Sequence, residues 1–393
     1  MTQEVIARSD LDLFADAVLA DPYPAYAELR EAGPVVWMDR LNAYACAGYQ
    51  EVRDVLNDDA TFVSGRGVGF NEVLNEAFTG TIIQSDGDDH RPLRAALAEQ
   101  MSVRGLAPLR ERATTMADEL VLGLKGKGRF DGVADFARVY PLQMVGELIG
   151  LPEEGVDQLI AWGDANFNVI GPRNARFEAS LPIFGECFAY IGWLHEDPRN
   201  RLREGGLGWA LYDAADRGII GHEQCPPLMA AYLVAGIDTT VASISFMLHL
   251  FGSHPGEWDK LKANPQMVSR AYNEVLRLAS PALCFKRVAS RDTEIGGVPI
   301  AAGSDVVVLY AAANQDPRRY PDPARFDISR NAGDHMAFGI GRHNCAGQSL
   351  ARMEANALLS AMVIHLDRIE IGDSRRHLNN TVQSLGYLET RFV

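Results

Sequence analysis

FGIGRHNCAG, residues 338–347, sets one cysteine among glycines, with a histidine two residues ahead of it. No other cysteine lies within ten residues, so Cys345 has no local disulfide partner and no cysteine-rich metal site to complete. Phe338, Gly341, His343, Cys345 and Gly347 read as a loop that brings a sulfur and bare backbone close to something flat. Gly341 and Gly347 are read as letting the backbone approach that plane. The loop leads into QSLARMEANALLSAMVIHL, whose apolar spacing predicts an amphipathic helix. A thiolate at a helix N-terminus is favoured by the dipole and the free N–H groups, whereas a buried structural cysteine needs no such setting. At usages of roughly 2–7% per residue type, the five-position pattern should arise by chance about once in ten thousand such chains, or more rarely.

Of the 393 residues, 47% are hydrophobic and 23% charged. These values suit a globular protein that buries a sizeable core without disulfides. The five cysteines, Cys46, Cys187, Cys225, Cys284 and Cys345, are scattered and odd in number, which points to a reducing, cytoplasmic setting. MTQEVIARSDLDLFADAV has no basic stretch leading into an apolar one, so no signal peptide is expected. No run of about 18 apolar residues suggests a membrane span. A formal charge of −15 disfavours nucleic acid.

With no repeat, low-complexity tract or linker, we read one domain over 1–393. DPYPAYAELREAGPVVWM begins as a helix that stops near Gly33-Pro34 and leads into short strands. From about 88 to 280 the pattern is mainly helical, including the long PPLMAAYLVAGIDTTVASISFMLHLF. EIGGVPIAAGSDVVVLYAA then reads as strands around a glycine turn. The expected fold is mainly α with a smaller β region.

Four further stretches carry candidate chemistry. In NEVLRL, Glu274 and Arg277 are spaced i, i+3, where an exposed local ion pair is ordinary. AGIDTT, residues 235–240, lies inside the longest helix. An interior glycine there costs about 1 kcal/mol, and Asp238, Thr239 and Thr240 compete with or crowd the helix. The run suits a kinked core helix, or a helix opened over a small bound molecule, with room at Ala235 and Gly236, a hydroxyl at Thr239 and a proton route at Asp238. His90 and Arg94, in DDHRPLR, are spaced i, i+4, and Arg287 lies in FKRVA. Each base alone reads as a surface residue. The carboxylates of SDGDDH do not make a calcium loop, because Leu97 stands where a glutamate is needed, and His335 reads as structural.

The cysteine loop resembles the haem-binding signature of the cytochrome P450 family, F-x-x-G-x-H-x-C-x-G, and the four other stretches follow in that family's order over most of the chain. The resemblance implies a cytochrome P450 fold in one domain, with haem b between the long oxygen-binding helix and the cysteine-loop helix. Cys345 would be the thiolate ligand to iron, with Phe338, Gly347 and Ala235 against the cofactor. Arg94, Arg287 and His343 would hold the haem propionates, joined by His90. Charged carboxylates in a low-dielectric pocket need such donors. Asp238 and Thr239 match the acid–alcohol pair that delivers protons. Glu274 and Arg277 would be buried and tied to the PDPARF stretch, Pro321–Phe326, with Arg325 as third member.

The implied activity is insertion of one oxygen atom from O2 into a C–H bond of a small apolar or aromatic molecule, by hydroxylation or O-demethylation. Electrons would come from an iron–sulfur ferredoxin and its NAD(P)H-dependent reductase, since the chain shows no flavin, nucleotide or iron–sulfur segment of its own. A basic patch of Arg104, Arg110, Arg342 and Arg352 is the candidate docking site, on a monomer without membrane or nucleic-acid contacts. Pocket walls in this fold come from regions that here contribute Val68, Phe70, Leu74, Phe78, Phe167, Val169, Ile170, Val234, Ala235, Leu283, Phe285 and Leu385. TFVSGRGVGF and DPYPAYAELREAGPVVWM look closest to members that oxidise small para-substituted aromatic acids. In that group polar and basic residues precede the Ala-Gly pair by about a turn, where this chain has Ala230 and Ala231. Arg66 is the one nearby substitute, so a neutral aromatic or methoxy-aromatic substrate is expected. Two other readings stay open. A peroxide-driven haem-thiolate enzyme would not need the acid–alcohol pair. A non-catalytic haem sensor or gas carrier would need the thiolate but neither the proton route nor the docking patch.

Overall fold

The computed structural model describes residues 6–98 and 100–393. Helices dominate the middle of the chain, and their apolar faces meet in the largest of the described hydrophobic clusters. Gln348–His365, the helix predicted after the cysteine, packs on Ala107–Lys125 and on Val268–Leu278. Val268–Leu278 is the most one-sided of these helices in sequence, and it buries Ala271, Tyr272, Glu274, Val275, Leu276 and Arg277. Two charged residues on that buried face require internal partners.

The long apolar stretch does not run as one continuous helix. Cys225–Ala235 ends at Gly236, and Asp238–Ser253 begins after Ile237. Glycine and the crowded threonines supply the physical reason for a break. Taken with the turn before it, His222–Ser253 is long and apolar enough to cross a membrane by length and composition, but 78% of its most apolar window is buried inside the protein. Burial in a protein core accounts for that composition.

The β region has three sheets among the described residues. A six-stranded sheet runs in the order Ala7–Ser9, Val36–Met38, Ala43–Cys46, Asp305–Leu309, Cys284–Ala289, Phe62–Val63. Residues 293–300 form the expected glycine-turn hairpin, with Gly296 and Gly297 at φ of 57° and 83°, the backbone that a two-residue hairpin turn needs. The third sheet pairs Ile369–Leu378 with Gln383–Phe392 and adds Arg129–Asp131. This sheet was not expected from the sequence. It places the hairpin 369–392 against Asp238–Ser253, which matters for the site below.

Candidate active site

The loop 338–347 folds back on itself through the Cys345 N–H, which donates to the Phe338 carbonyl at 2.7 Å. Gly339 and Gly341 have φ of 63° and 72°, a region that side-chain-bearing residues avoid. A Cβ on Gly341 would sit 2.6 Å from the Leu56 carbonyl oxygen. Gly341 is therefore needed for the turn and for packing on Leu56, not for approach to a flat ligand as the sequence suggested. Gly339 and Gly347, by contrast, do line a large internal cavity. Cys345 opens onto that same cavity, whereas Cys46, Cys187, Cys225 and Cys284 are buried elsewhere. Burial pushes those four thiols up, to about 12, 12, 11 and 12. Burial also raises Cys345, but the N–H groups of Gly347 and Gln348 and the charge of Arg94 pull it down, as a helix N-terminus should.

Around the cavity rim stand His90, Arg94, Arg287 and His343. Arg94 clamps the cysteine loop, donating to the Asn344 carbonyl at 2.8 Å and to Asn344 Oδ1 at 2.7 Å. Arg287 is 7% exposed and donates to the Lys286 carbonyl. Neither arginine has a carboxylate partner among the described residues. The rings of His90 and His343 lie 4.5 Å apart. Burial, with the neighbouring His343, Arg94 and Arg342, pushes His90 down to about 4. His343 Nε2 is 3.5 Å from Asp86 Oδ1, too long for a full hydrogen bond. Asp86 itself accepts from the Ser64 and Gly65 N–H groups at 3.0 and 2.7 Å. Buried cations without counter-ions are unfavourable unless an anion completes them. A cofactor bearing carboxylates and a thiolate-bound metal would fit this donor set, with the arginines on the carboxylates and Cys345 on the metal.

The helix break lines the same cavity as the cysteine. Ala235, Gly236 and Thr239 line the cavity. Thr239 donates its hydroxyl to the Ala235 carbonyl at 2.8 Å, and Thr240 donates to that of Gly236 at 2.8 Å. These bonds use carbonyls that the break releases from the helix ladder. Asp238 points the other way. It is 6% exposed, and its Oδ2 has no hydrogen-bond partner among the described residues. Burial, then the charge of Asp164, raises its carboxyl to about 7, opposed by His377 and Arg138. Asp238 and Thr239 are thus neighbours facing opposite ways, an acid in the protein and an alcohol in the cavity.

The cavity wall is apolar and aromatic. Of the expected residues, Phe78, Phe167, Ile170, Val234, Ala235 and Phe285 line it, as do Ala230 and Ala231. The others point elsewhere. Val68 is fully buried because Asn75 pins its loop, accepting from the Val68 and Gly69 N–H groups at 3.1 and 3.0 Å. Phe70 packs edge-on to Phe14, with ring centroids 4.9 Å apart. Leu283 joins the cluster of Leu309 and Ala311, so its neighbours Pro281 and Ala282 face the cavity instead. Leu385 belongs to the main helical core, and Leu74 and Val169 to a smaller cluster. Arg66 is exposed and does not line the cavity. Sequence reading missed Ile82, Leu148, Asn166, Phe188 and Tyr232 on the wall. Their segments are helical and apolar, so no local signal distinguishes cavity side from core side.

Beneath the cysteine loop, Glu274 and Arg277 are fully buried and bidentate, at 2.7 and 2.8 Å. Arg277 also donates to the carbonyls of Asn314, Pro323 and Arg325. The third charged member is Arg330, whose Nε lies 3.1 Å from Glu274 Oε1. This corrects the expectation for Arg325. The turn after Phe326 brings Arg330 back to Glu274, while the Arg325 side chain is exposed and supplies only its carbonyl. Asn314 links the trio to the loop by accepting from the Met336 N–H at 2.7 Å. His335 is buried, and its Nδ1 accepts from the Ala337 N–H at 3.1 Å.

A sequence model of the family described as Cytochrome P450 matches residues 227–383. The chain is 37% identical over 380 residues to cytochrome P450 CYP199A2 of Rhodopseudomonas palustris, covering 95% of this chain and 92% of that protein. It is 31% identical over 368 residues to a beta-dihydromenaquinone-9 omega-hydroxylase of Mycobacterium tuberculosis, covering 92% of this chain and 74% of that protein. The solved structure of cytochrome P450 CYP268A2 of Mycobacterium marinum in complex with pseudoionone is similar, with a TM-score of 0.89 and 25% identity, covering 99% of this chain and 100% of that one.

Proposed function

The chain belongs to the cytochrome P450 family, haem-thiolate monooxygenases, and from that premise we propose that Cys345 supplies the thiolate and that the substrate is a small neutral aromatic or alkyl-aromatic molecule. The observation that carries this reading is one cavity lined both by Cys345 with uncompensated cations and by a broken helix with apolar walls. When bound, the haem supplies the iron chemistry that activates O2 and inserts one oxygen atom into a C–H bond.

The protein's own residues do the rest. Gly347 and Gln348 N–H groups and Arg94 stabilise charge on the Cys345 sulfur. Arg94, Arg287, His343 and His90 would receive the two carboxylates and fix the cofactor's rotation. Phe338, Gly347 and Ala235 line the cavity and would lie against the cofactor. Phe167, Val234 and Phe285 exclude water and orient the substrate by shape. Asp238, with its carboxyl raised to about 7, can hold a proton near neutrality and release it past the Thr239 hydroxyl toward the cavity. A peroxide-driven enzyme would have no use for that pair, which favours reduction by a separate ferredoxin and its NAD(P)H-dependent reductase. We place the enzyme, read as one domain over 1–393, in the cytoplasm as a monomer.

Substrate charge is testable by the ferric low- to high-spin shift on ligand titration. Neutral methoxy- and alkyl-aromatics are expected to bind at least as tightly as the matching benzoates, because Ala230, Ala231 and the apolar wall carry no charge and the cavity's cations, Arg94 and Arg287, are assigned to the cofactor carboxylates. Arg66→Ala should leave neutral-ligand affinity within about twofold. A buried charge-assisted bond is worth about 1.5–3 kcal/mol. Benzoates binding ten- to a hundredfold more tightly, and losing that advantage in Arg66→Ala, would replace the neutral reading with an aromatic-acid one.

A further inference from the structure

Asp238 can deliver one proton, but it is buried and must be refilled from water. Three side chains from three elements act on its charge. They are Asp164 on Leu159–Ile170, His377 on Ile369–Leu378, and Arg138 at the end of Gly132–Ala137. The helix carrying Asp164 approaches closely. A Cβ on Gly163 would lie 3.3 Å from Asp238 Cβ. His377 Nε2 and Asp164 Oδ1 are 2.6 Å apart. Their side chains are 37% and 30% exposed, so the pair touches water, and Asp164 directly follows Gly163, the residue packed against Asp238. Arg138 Nε is buried and has no hydrogen-bond partner among the described residues.

We propose that His377 and Asp164 form the solvent-side proton relay of this enzyme, refilling Asp238 after each delivery. The proposal rests on the Asp238–Thr239 reading given above. The steps balance in protons and charge. Asp238 releases a proton toward Thr239 and becomes a carboxylate beside Asp164. The His377 imidazolium then passes its Nε2 proton to Asp164. Asp164, now neutral, passes a proton to Asp238. No hydrogen bond links these two carboxyls, so a water molecule or a turn of the Asp164 carboxyl carries it. His377 regains a proton from bulk water. The hydrogen bond to Asp164 raises His377, against the effects of burial and of Arg138, which favours the charged form of the donor.

A purely structural role is separable, because the hairpin is tied to Leu159–Ile170 without His377. Asn379 Nδ2 donates to Asp164 Oδ1 at 2.8 Å, and Asn380 Nδ2 donates to the Asn168 carbonyl at 2.8 Å. His377→Gln keeps an N–H donor for Asp164 but has no acid proton to give.

The test uses the full-length holoprotein. In the reduced, carbon monoxide-bound state, histidine NMR titration should find His377 above its ordinary value of 6.5, falling back toward it in Asp164→Asn. With a ferredoxin and reductase, His377→Gln and Asp164→Asn should each lower product formation by roughly tenfold or more. Hydrogen peroxide release and the solvent isotope effect should rise, while aromatic ligand affinity stays within about twofold. Wild-type rate, coupling and isotope effect in His377→Gln, or an ordinary titration of His377 in the parent, would overturn the relay. Asp238→Asn separates the two layers. A slow Asp238→Asn beside normal His377→Gln and Asp164→Asn leaves the Asp238 reading intact and removes the relay alone. A normal Asp238→Asn removes both.

Discussion

Asp238 shows how one side chain couples stability to chemistry. Its folded pKa, about 7, lies above the ordinary 3.8 because burial and Asp164 oppose its charge. The folded state therefore binds this proton more tightly than the unfolded chain does. Stability contributed by the group is intact below about pH 4 and declines as pH rises toward and through 7. Asp238→Asn has no such penalty. It should melt roughly 1–3 °C higher than the parent at pH 8, with the advantage shrinking as pH falls toward 4. A variant that melts with the parent at both pH values would show that the Asp238 carboxyl is not raised in the folded protein. Turnover should move the opposite way, slower in Asp238→Asn because an amide has no acid proton to release.

At the scale of elements, Val268–Leu278 and the segment 321–330 are held together by the Glu274–Arg277–Arg330 trio. Breaking a buried pair leaves an uncompensated charge, at a cost of about 3–5 kcal/mol. Glu274→Ala should lose that much in denaturant unfolding and retain little haem, because Asn314 ties the trio to the loop before Cys345. Arg325→Ala should cost under about 0.5 kcal/mol, since only its carbonyl is engaged. Normal haem content in Glu274→Ala would place that residue outside the support of the loop. These elements also mark how far the sequence is legible. The cysteine loop, the helix after it and the break at Gly236 are local features, governed by neighbours within a few residues. Choosing Arg330 over Arg325 depends on a turn whose path the spacing does not contain. Val68 and Leu283 fail as pocket walls for a similar reason, because Asn75 and the packing around Leu309 decide which way those segments face. The hairpin 369–392 and the His377–Asp164 contact, 213 residues apart, have no local signal at all.

For the whole molecule, a net charge of −15 would repel an acidic ferredoxin unless a local patch reverses the field. Two of the four expected docking arginines are occupied within the chain. Arg342 pairs with Asp59, and Arg352 lies over the Phe338 ring and bonds Asn273. Arg104 and Arg110 are exposed. Reversing both to Glu should slow reduction by ferredoxin several-fold and flatten its dependence on salt, without altering ligand-induced spin shifts. Stopped-flow reduction at two ionic strengths decides this. An unchanged rate would move the docking face away from that region. The cavity as a whole is organised around one sulfur, and a single spectrum tests that directly. Reduced holoprotein under carbon monoxide should show the red-shifted Soret band of thiolate ligation. Cys345→His should shift it to the position of imidazole ligation, or lose the haem. If Cys345→His keeps the red-shifted band, another sulfur holds the iron and the assignment of Cys345 is wrong.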